Sequence, residues 1–495
     1  MKYDVVIIGS GLGGLICGYI LSKNGLNVAV LEKNASIGGC LQSFTRKGTI
    51  FDTGMHYIGG IEEGGPMHKM WKYLDLEKNI KVRKLDPSGY DLFKIENNYY
   101  SYAMGYDNFI KSLSDKFPGE YNNIKQYIDT IKKVSLASPL YNLRENISLD
   151  SLNYDSGGCA DLFIDSITQD KLLRKVLAAN LPLYAGIKGK TPLYVLAAVN
   201  NAYIHDCYRI VGGGSTIASY LSKSIEKFGG VVIPHSEVIK VLYSGNKIKS
   251  VYTSDKRVIE SNYFISDIHP ASLLKILDSD IIKNSYRKRI CGLENSISNF
   301  TVYLKFKSNK VRYMNSNFYS YYNDVWGGEK YIGESWPYAY MYMHQAVDEK
   351  TSYAEGAILM SYMNYSEVKQ WENEPCRERG EEYNDFKIER AERLISLLEA
   401  DFPNIRESLD SYYTSSPLTY KDYIASPDGS SYGIIKDANN PFATMIPHRT
   451  KIENLFLTGQ NINFHGALGV SISSVITCSE ILGLNKVLHD INNNI

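Results

Sequence analysis

YDVVIIGSGLGGLICGYILSKNGLNVAVLE, residues 3–32, is the stretch from which the fold is read. Residues 3–8 form an apolar run with the length and β-branched content of a buried parallel strand. Gly9, Gly11 and Gly14 follow as G-x-G-x-x-G. Gly9 permits a tight turn, Gly11 lets the backbone approach a pyrophosphate, and Gly14 lets the next helix pack closely on the sheet. Amide N–H groups at that helix start face the phosphates. The helical pattern runs through Ile16, Tyr19 and Ile20 until Gly25, and residues 27–31 read as a second strand with Glu32 at its tip. A carboxylate there accepts hydrogen bonds from ribose hydroxyls. A glycine triplet alone also arises as a purely structural turn; strand, loop, helix, strand and acid in register predict an adenine dinucleotide site.

At 495 residues the chain can build two domains or one large interleaved body. Lys+Arg and Asp+Glu stand at 54 each, a balance that argues against nucleic acid as a partner. The 7 cysteines are scattered without C-x-x-C spacing, so they read as reduced thiols rather than a disulfide or zinc framework. A strand beginning at Tyr3 leaves no room for a signal peptide, and a cytoplasmic location is expected. No apolar run is long enough to span a bilayer. Residues 192–199, PLYVLAAV, either enter the core or dip into one leaflet, with the core preferred. Tyrosine is abundant at 40 residues, which suits large apolar faces with polar tips.

Outward from Glu32 lies a second glycine pair, Gly38 and Gly39, and then FDTGMHYIGG at residues 51–60. Two glycine loops so soon after the ribose carboxylate suit a long cofactor such as FAD. Helices are expected over residues 106–117, 121–134 and 161–179, forming an inserted helical layer. A glycine cluster at residues 212–214 opens a helix over 216–228, followed by strands at 231–234 and 237–242 and a hairpin over 251–264. This reads as the chain's return to the nucleotide-binding sheet, with an independent α/β lobe as the alternative. In YAYMYMH, residues 338–344, alternation puts Tyr338, Tyr340, Tyr342 and His344 on one face and Ala339, Met341 and Met343 on the other. One face either lines an apolar channel or packs on a helix. Residues 386–400 form an amphipathic helix with Ile388, Ala391, Leu394, Ile395 and Leu398 on one side.

Residues 452–484 hold a strand at 454–457, a Gly459–Gln460 turn, Gly466 and Gly469, and a helix from about Val470. The positive end of that helix suits the negative charge of a reduced flavin. FDTGMHYIGGIEEGG (51–65), SSPLTYKDYIASPDGSSYGIIKD (415–437) and NLFLTGQNINFHGALG (454–469), in this order behind GSGLGG, resemble the retinol saturase branch of the phytoene desaturase and carotenoid isomerase family over nearly the whole chain. The resemblance implies an α/β fold: a Rossmann-type FAD-binding domain of the glutathione-reductase and amine-oxidase kind, with an interleaved α+β substrate domain. Residues 1–75, 205–275 and 445–495 would form the first, and 76–204 and 276–444 the second.

By the same resemblance Gly9, Gly11, Gly14, Glu32 and Lys33 hold the ADP half of FAD. Gly38 and Gly39 lie by the pyrophosphate, and Val238 lies near the adenine. Gly459 and Gln460 reach the ribityl region, while Gly469 and Val470 approach the isoalloxazine. His56 and His465 are the histidines expected nearest the ring, as proton donors or acceptors or as structural hydrogen-bonding groups. Cys40 reads as a packed small residue rather than a nucleophile, and no metal-ligand spacing emerges. The implied activity is FAD-dependent saturation or desaturation of a carbon–carbon double bond in a hydrophobic polyene or isoprenoid. The electron partner is unspecified, and peripheral membrane contact is expected for so apolar a substrate. The alternatives are a redox-neutral polyene isomerase, an amine oxidase and a non-catalytic prenyl-binding escort protein.

Overall fold

The computed structural model describes residues 2–147, 157–322, 324–328, 331, 333–463 and 465–494. The strand Lys2–Ile8 lies inside a seven-stranded sheet, with Val28–Leu31 and Val231–Ile233 in turn on one side and Val258–Ser266 on the other, all parallel. Lys247–Thr253 and Val238–Ser244 extend the far edge as an antiparallel hairpin. Leu455–Leu457 runs parallel to the end of Val258–Ser266, in the register Phe264 opposite Leu455. The C-terminal segment thus brings its strand end beside the glycine loop, where open α/β sheets bind ligands.

The helix Leu12–Lys23 has no exposed stripe, because Gly13 through Ser22 are all buried. It is enclosed by the helices Ser215–Lys227 and Gly466–Leu482. At Gly18 a Cβ would stand 2.7 Å from Ile225 Cδ1, so the absence of a side chain sets the helix spacing. The C-terminal helix begins at Gly466, a turn earlier than Val470, and Gly466 enters it with φ +73°, a conformation that glycine reaches without strain.

A second seven-stranded sheet runs Leu409–Ser415, Ser298–Phe306, Gly356–Met363, Ala339–His344, Asn317–Tyr321, Asp91–Ile95 and Asn98–Tyr102. On one face Tyr340 and Tyr342 share a core with Ala391, Leu394 and Leu398 of the helix Glu381–Asp401. The other face packs Tyr319, Met343 and Met360 against a helical layer that includes Tyr121–Ala137 and Leu193–His205. The tyrosine face of YAYMYMH is therefore the one that packs on a helix. PLYVLAAV enters the buried helix Leu193–His205, and among the described residues no helix is long and apolar enough to cross a membrane.

Two expectations change. The helix over 161–179 is two, Ala160–Ile167 and Lys171–Leu177. Thr168 is extended, and the Asp170 carboxylate accepts from the Leu172 and Leu173 amides at 2.8 and 3.0 Å, capping a new helix start. Ile388, placed on the buried side of its helix, is 51% exposed, because the sheet covers only the stripe carrying Ala391, Leu394, Ile395 and Leu398. Leu394→Ala should accordingly cost about 2–5 kcal/mol in urea unfolding, whereas Ile388→Ala should stay within about 0.5 kcal/mol of the parent.

Candidate active site

The carboxyl ends of the parallel strands open into a chamber of about 510 Å³. Gly9, Gly11, Glu32, Lys33, Gly38, Gly39 and Val238 line it, as do Gly459, Gln460 and Val470, with Gly459 against the first glycine loop. Leu183, Tyr203, Met341, Met360 and Tyr362 supply a mostly apolar wall. Met341 belongs to the face of YAYMYMH opposite the packed tyrosines, so the alternating strand serves helix packing with one face and the chamber with the other.

Gly9 has φ +100°, a conformation that glycine reaches without strain. At Gly14 a Cβ would stand 2.1 Å from the Gly9 carbonyl oxygen; this glycine lets the helix close onto the loop and does not line the chamber. Gly38 donates its N–H to Ser10 O at 3.0 Å, and a Cβ on Gly39 would lie 3.1 Å from Gly11 Cα. The two glycine loops are thus in contact. Glu32 accepts from the Ser10 amide and hydroxyl at 3.2 and 2.6 Å and from the Asn34 amide at 2.9 Å. A carboxylate has about four acceptor positions, so one remains for a hydroxyl in the chamber. Lys33 donates to Asp422 O at 2.7 Å. Gly469 sits inside its helix, behind the lining residues Gly466, Ala467 and Val470.

The pocket floor holds a group that motif reading missed. A Cβ on Gly11, Gly13 or Gly459 would stand 2.5, 2.4 or 2.5 Å from a carboxyl oxygen of Asp267. Burial pushes the Asp267 carboxyl from 3.8 to about 7, against a hydrogen bond from the Gly14 amide and with Glu32 adding to the rise. Gly11 is therefore needed to clear Asp267, the group its own Cβ would meet. The available signal was positional: Asp267 directly follows a strand paired with Lys2–Ile8.

His56 lines the chamber, and its buried Nδ1 has no hydrogen-bond partner. Burial and then Arg209 lower its pKa to about 4. His465 is not among the lining residues; its ring lies 5.7 Å from that of Tyr432, which is. Burial and Lys436 pull it down to about 3. Both imidazoles are neutral at pH 7. Burial lifts the Cys40 thiol to about 11, so it stays protonated and unreactive.

A second missed group lies behind Tyr57, another lining residue. Its hydroxyl donates to Asp91 Oδ2 at 3.0 Å and stands 2.6 Å from Tyr319 Oη. Asn317 donates to the other Asp91 oxygen at 2.7 Å, and Arg209 donates to Asn317 Oδ1 at 2.6 Å. Burial raises Asp91 to about 7, opposed by those hydrogen bonds and by Arg209. A carboxyl poised there can hold or release a proton near neutrality.

A family model described as "NAD(P)-binding Rossmann-like domain" matches residues 7–74. An all-trans-retinol 13,14-reductase from Danio rerio is 25% identical over 98% of this chain and 86% of its own length. Prolycopene isomerase 1, chloroplastic, from an Oncidium hybrid cultivar is 23% identical over 98% and 85%. The chain is thus similar over nearly its whole length to a retinol reductase and to a carotenoid isomerase. The fold is also that of an oxidoreductase from Methanosarcina mazei, with a TM-score of 0.66 at 18% identity over 96% of this chain and 99% of the other. Cyclohexylamine oxidase from Brevibacterium oxydans IH-35A shares it at TM-score 0.62 and 12% identity, over 97% and 100%.

The raised Asp267 pKa has a definite sign. Between about pH 4 and 7 the folded protein holds a proton that the unfolded chain has released, so this residue's contribution to stability falls as pH rises. The Tm of the parent relative to Asp267→Asn should drop across that interval, with a slope approaching about 1.4 kcal/mol per pH unit in unfolding free energy. Parallel Tm profiles would show that Asp267 ionises normally.

Proposed function

We propose that this protein is an FAD-dependent oxidoreductase that acts on a carbon–carbon double bond of a hydrophobic polyene, by saturation or by isomerisation. The observation that carries the proposal is the continuity of one chamber, from Glu32 and Val238 past both glycine loops to the apolar wall at Met341 and Met360. The residues fit the cofactor. Glu32 has acceptor capacity for a ribose, and the contacting loops at Gly11 and Gly39 leave no room for side chains beside a pyrophosphate. The N-terminal end of the helix Gly466–Leu482, with Ala467 and Val470 on the lining, supports the flavin ring there. Bound FAD supplies hydride chemistry.

The chain's own residues orient the polyene and exclude water. Tyr57 and Asp91 hold a proton beside the reacting bond, and neutral His56 offers an acceptor on the same wall. Met side chains suit this work because the thioether is polarizable and adapts to a conjugated chain. Four intact positions of the phosphate loop and its acid, Gly9, Gly11, Gly14 and Glu32, favour a loaded enzyme over a prenyl-binding escort protein. Anaerobic photoreduction followed by addition of retinoid and carotenoid candidates tests the proposal. Reoxidation with a mass gain of two hydrogens marks saturation, unchanged mass with altered geometry marks isomerisation, and no response from any polyene overturns both. Tyr57→Phe should slow a saturating enzyme roughly 10²-fold or more without loss of bound flavin.

The same reading has the protein collecting its substrate at a membrane surface. Phe442, in the short helix Pro441–Thr444, is 89% exposed, an uncommon position for a large apolar ring. Phe442→Ser should reduce co-sedimentation with phosphatidylcholine vesicles and leave Tm unchanged. Equal sedimentation of the two would remove this residue from the membrane contact.

A further inference from the structure

Beside the cofactor chamber lies a second, larger cavity of about 990 Å³. Cys40, Tyr420, Tyr423 and Ile424 line both. The helix Pro417–Ile424 is therefore their common wall, with Cys40 beside it. The second cavity has an aromatic surface built from Phe44, Tyr303, Tyr383, Tyr412 and Tyr413.

Its charges are one-sided. Arg46, Arg377, Arg379 and Lys387 line it, and the acid on the lining is Asp422. Arg379 takes that acid in a bidentate pair at 2.8 and 3.1 Å, which leaves the other three without it. Arg377 donates to the Tyr423 hydroxyl at 3.1 and 3.0 Å. Arg46 donates to the backbone carbonyl of Thr45 and lies 5.9 Å from the Tyr413 ring centre. Lys387 stands 4.6 Å from the Tyr383 ring centre, and among the described residues no carboxylate pairs with it. Partial burial and then Arg379 lower its pKa, as expected of an ammonium group lacking an anion. Cations are commonly satisfied by a carboxylate or by water; three converging on a tyrosine-lined cavity next to an apolar chamber match the head of an amphipathic anion.

We infer that the substrate carries an anionic head group, carboxylate or phosphate ester, which docks between Lys387, Arg377 and Arg46. Its apolar chain then passes Cys40 and Tyr420 into the chamber. This inference rests on the function proposed above for the placement of the chain, and on the charges alone for the head. It separates this protein's substrate from neutral polyene alcohols and hydrocarbons. Specificity arises because burying the head of a neutral analogue leaves the cations unpaired.

The test uses the FAD-loaded protein and four probes sharing one conjugated C18 chain: parinaric acid, its methyl ester, the alcohol and the phosphate monoester of that alcohol. Binding is read from probe fluorescence in low and high salt. The acid or the phosphate ester should bind at least tenfold more tightly than the methyl ester and the alcohol, and the stronger of the two identifies the head. Lys387→Gln and Arg377→Gln should each remove much of that advantage and its salt dependence, with methyl ester binding unchanged. Arg377 is exposed and Lys387 half-buried, and an unchanged Tm and flavin content excludes misfolding. Equal binding of charged and neutral probes, or an advantage untouched by both substitutions, overturns the inference. Anionic binding that depends on Lys387 in a protein whose reduced flavin no polyene reoxidises would sink the proposed function and leave the head-group site standing. Turnover of neutral polyenes with no advantage for the acid or phosphate would do the reverse.

Discussion

The structure depends on the close approach of two backbone segments around one carboxyl group. Gly11, Gly13 and Gly459 come from opposite ends of the chain, and each meets the Asp267 side chain where its own Cβ would have been. Asp267 in turn accepts from the Gly14 amide, one of the unpaired donors at a helix start. A carboxyl that accepts from this helix end also faces the place where phosphates would lie. Burial raises its pKa to about 7, which lessens the negative charge beneath them. The same crowding joins the N-terminal loop to the C-terminal segment, so the chamber exists only when both ends of the chain are in place.

Much of this was legible in sequence because nucleotide-binding loops place glycines for steric reasons that survive large divergence. The first strand, helix and second strand follow from residues 3–32 with small shifts of boundary, and the return at residues 212–264 completes the same sheet. The buried polar groups were not legible. Asp91, Asp267 and Tyr57 carry no spacing signature, because each meets partners more than 30 residues away in the chain. Ile388 was misplaced for a related reason: helical periodicity shows which residues share a stripe, but the width of the partner surface decides how much of that stripe is covered. The break at Thr168 was not legible, since Asp170 is acceptable within a helix until its side chain turns back to the backbone.

The tyrosine content finds its explanation in how the sheet meets its helical layer. Helix ends leave carbonyl groups without intrahelical partners, and here sheet and helix tyrosines supply the donors. Tyr102 donates to Val176 O at 2.5 Å, Tyr321 to Ala179 O at 2.5 Å and Tyr127 to Leu177 O at 3.3 Å, all around the end of the helix Lys171–Leu177. Val176 O also accepts from the Ala179 amide at 3.1 Å, but phenylalanine in place of Tyr127 or Tyr321 would fill the same volume and remove the donor to a buried acceptor, at about 1–3 kcal/mol each. The rings build the core while these three hydroxyls fix the helical layer against the sheet.

The same device joins the nucleotide end of the chamber to its substrate wall. The helix Pro417–Ile424 starts with a capping box at Ser416 and Thr419, and its last turn is held from outside. Lys33 donates to Asp422 O at 2.7 Å and Asn34 donates to Tyr423 O at 2.8 Å. Both donors directly follow Glu32, whose carboxylate also holds the Asn34 amide. Halfway along the helix Tyr420 donates to Thr53 O at 3.0 Å, fixing the wall to the FDTGMHYIGG turn that carries His56 and Tyr57. Glu32's two following side chains and the FDTGMHYIGG turn thus hold one eight-residue helix from two sides, and that helix is the wall shared by the two cavities.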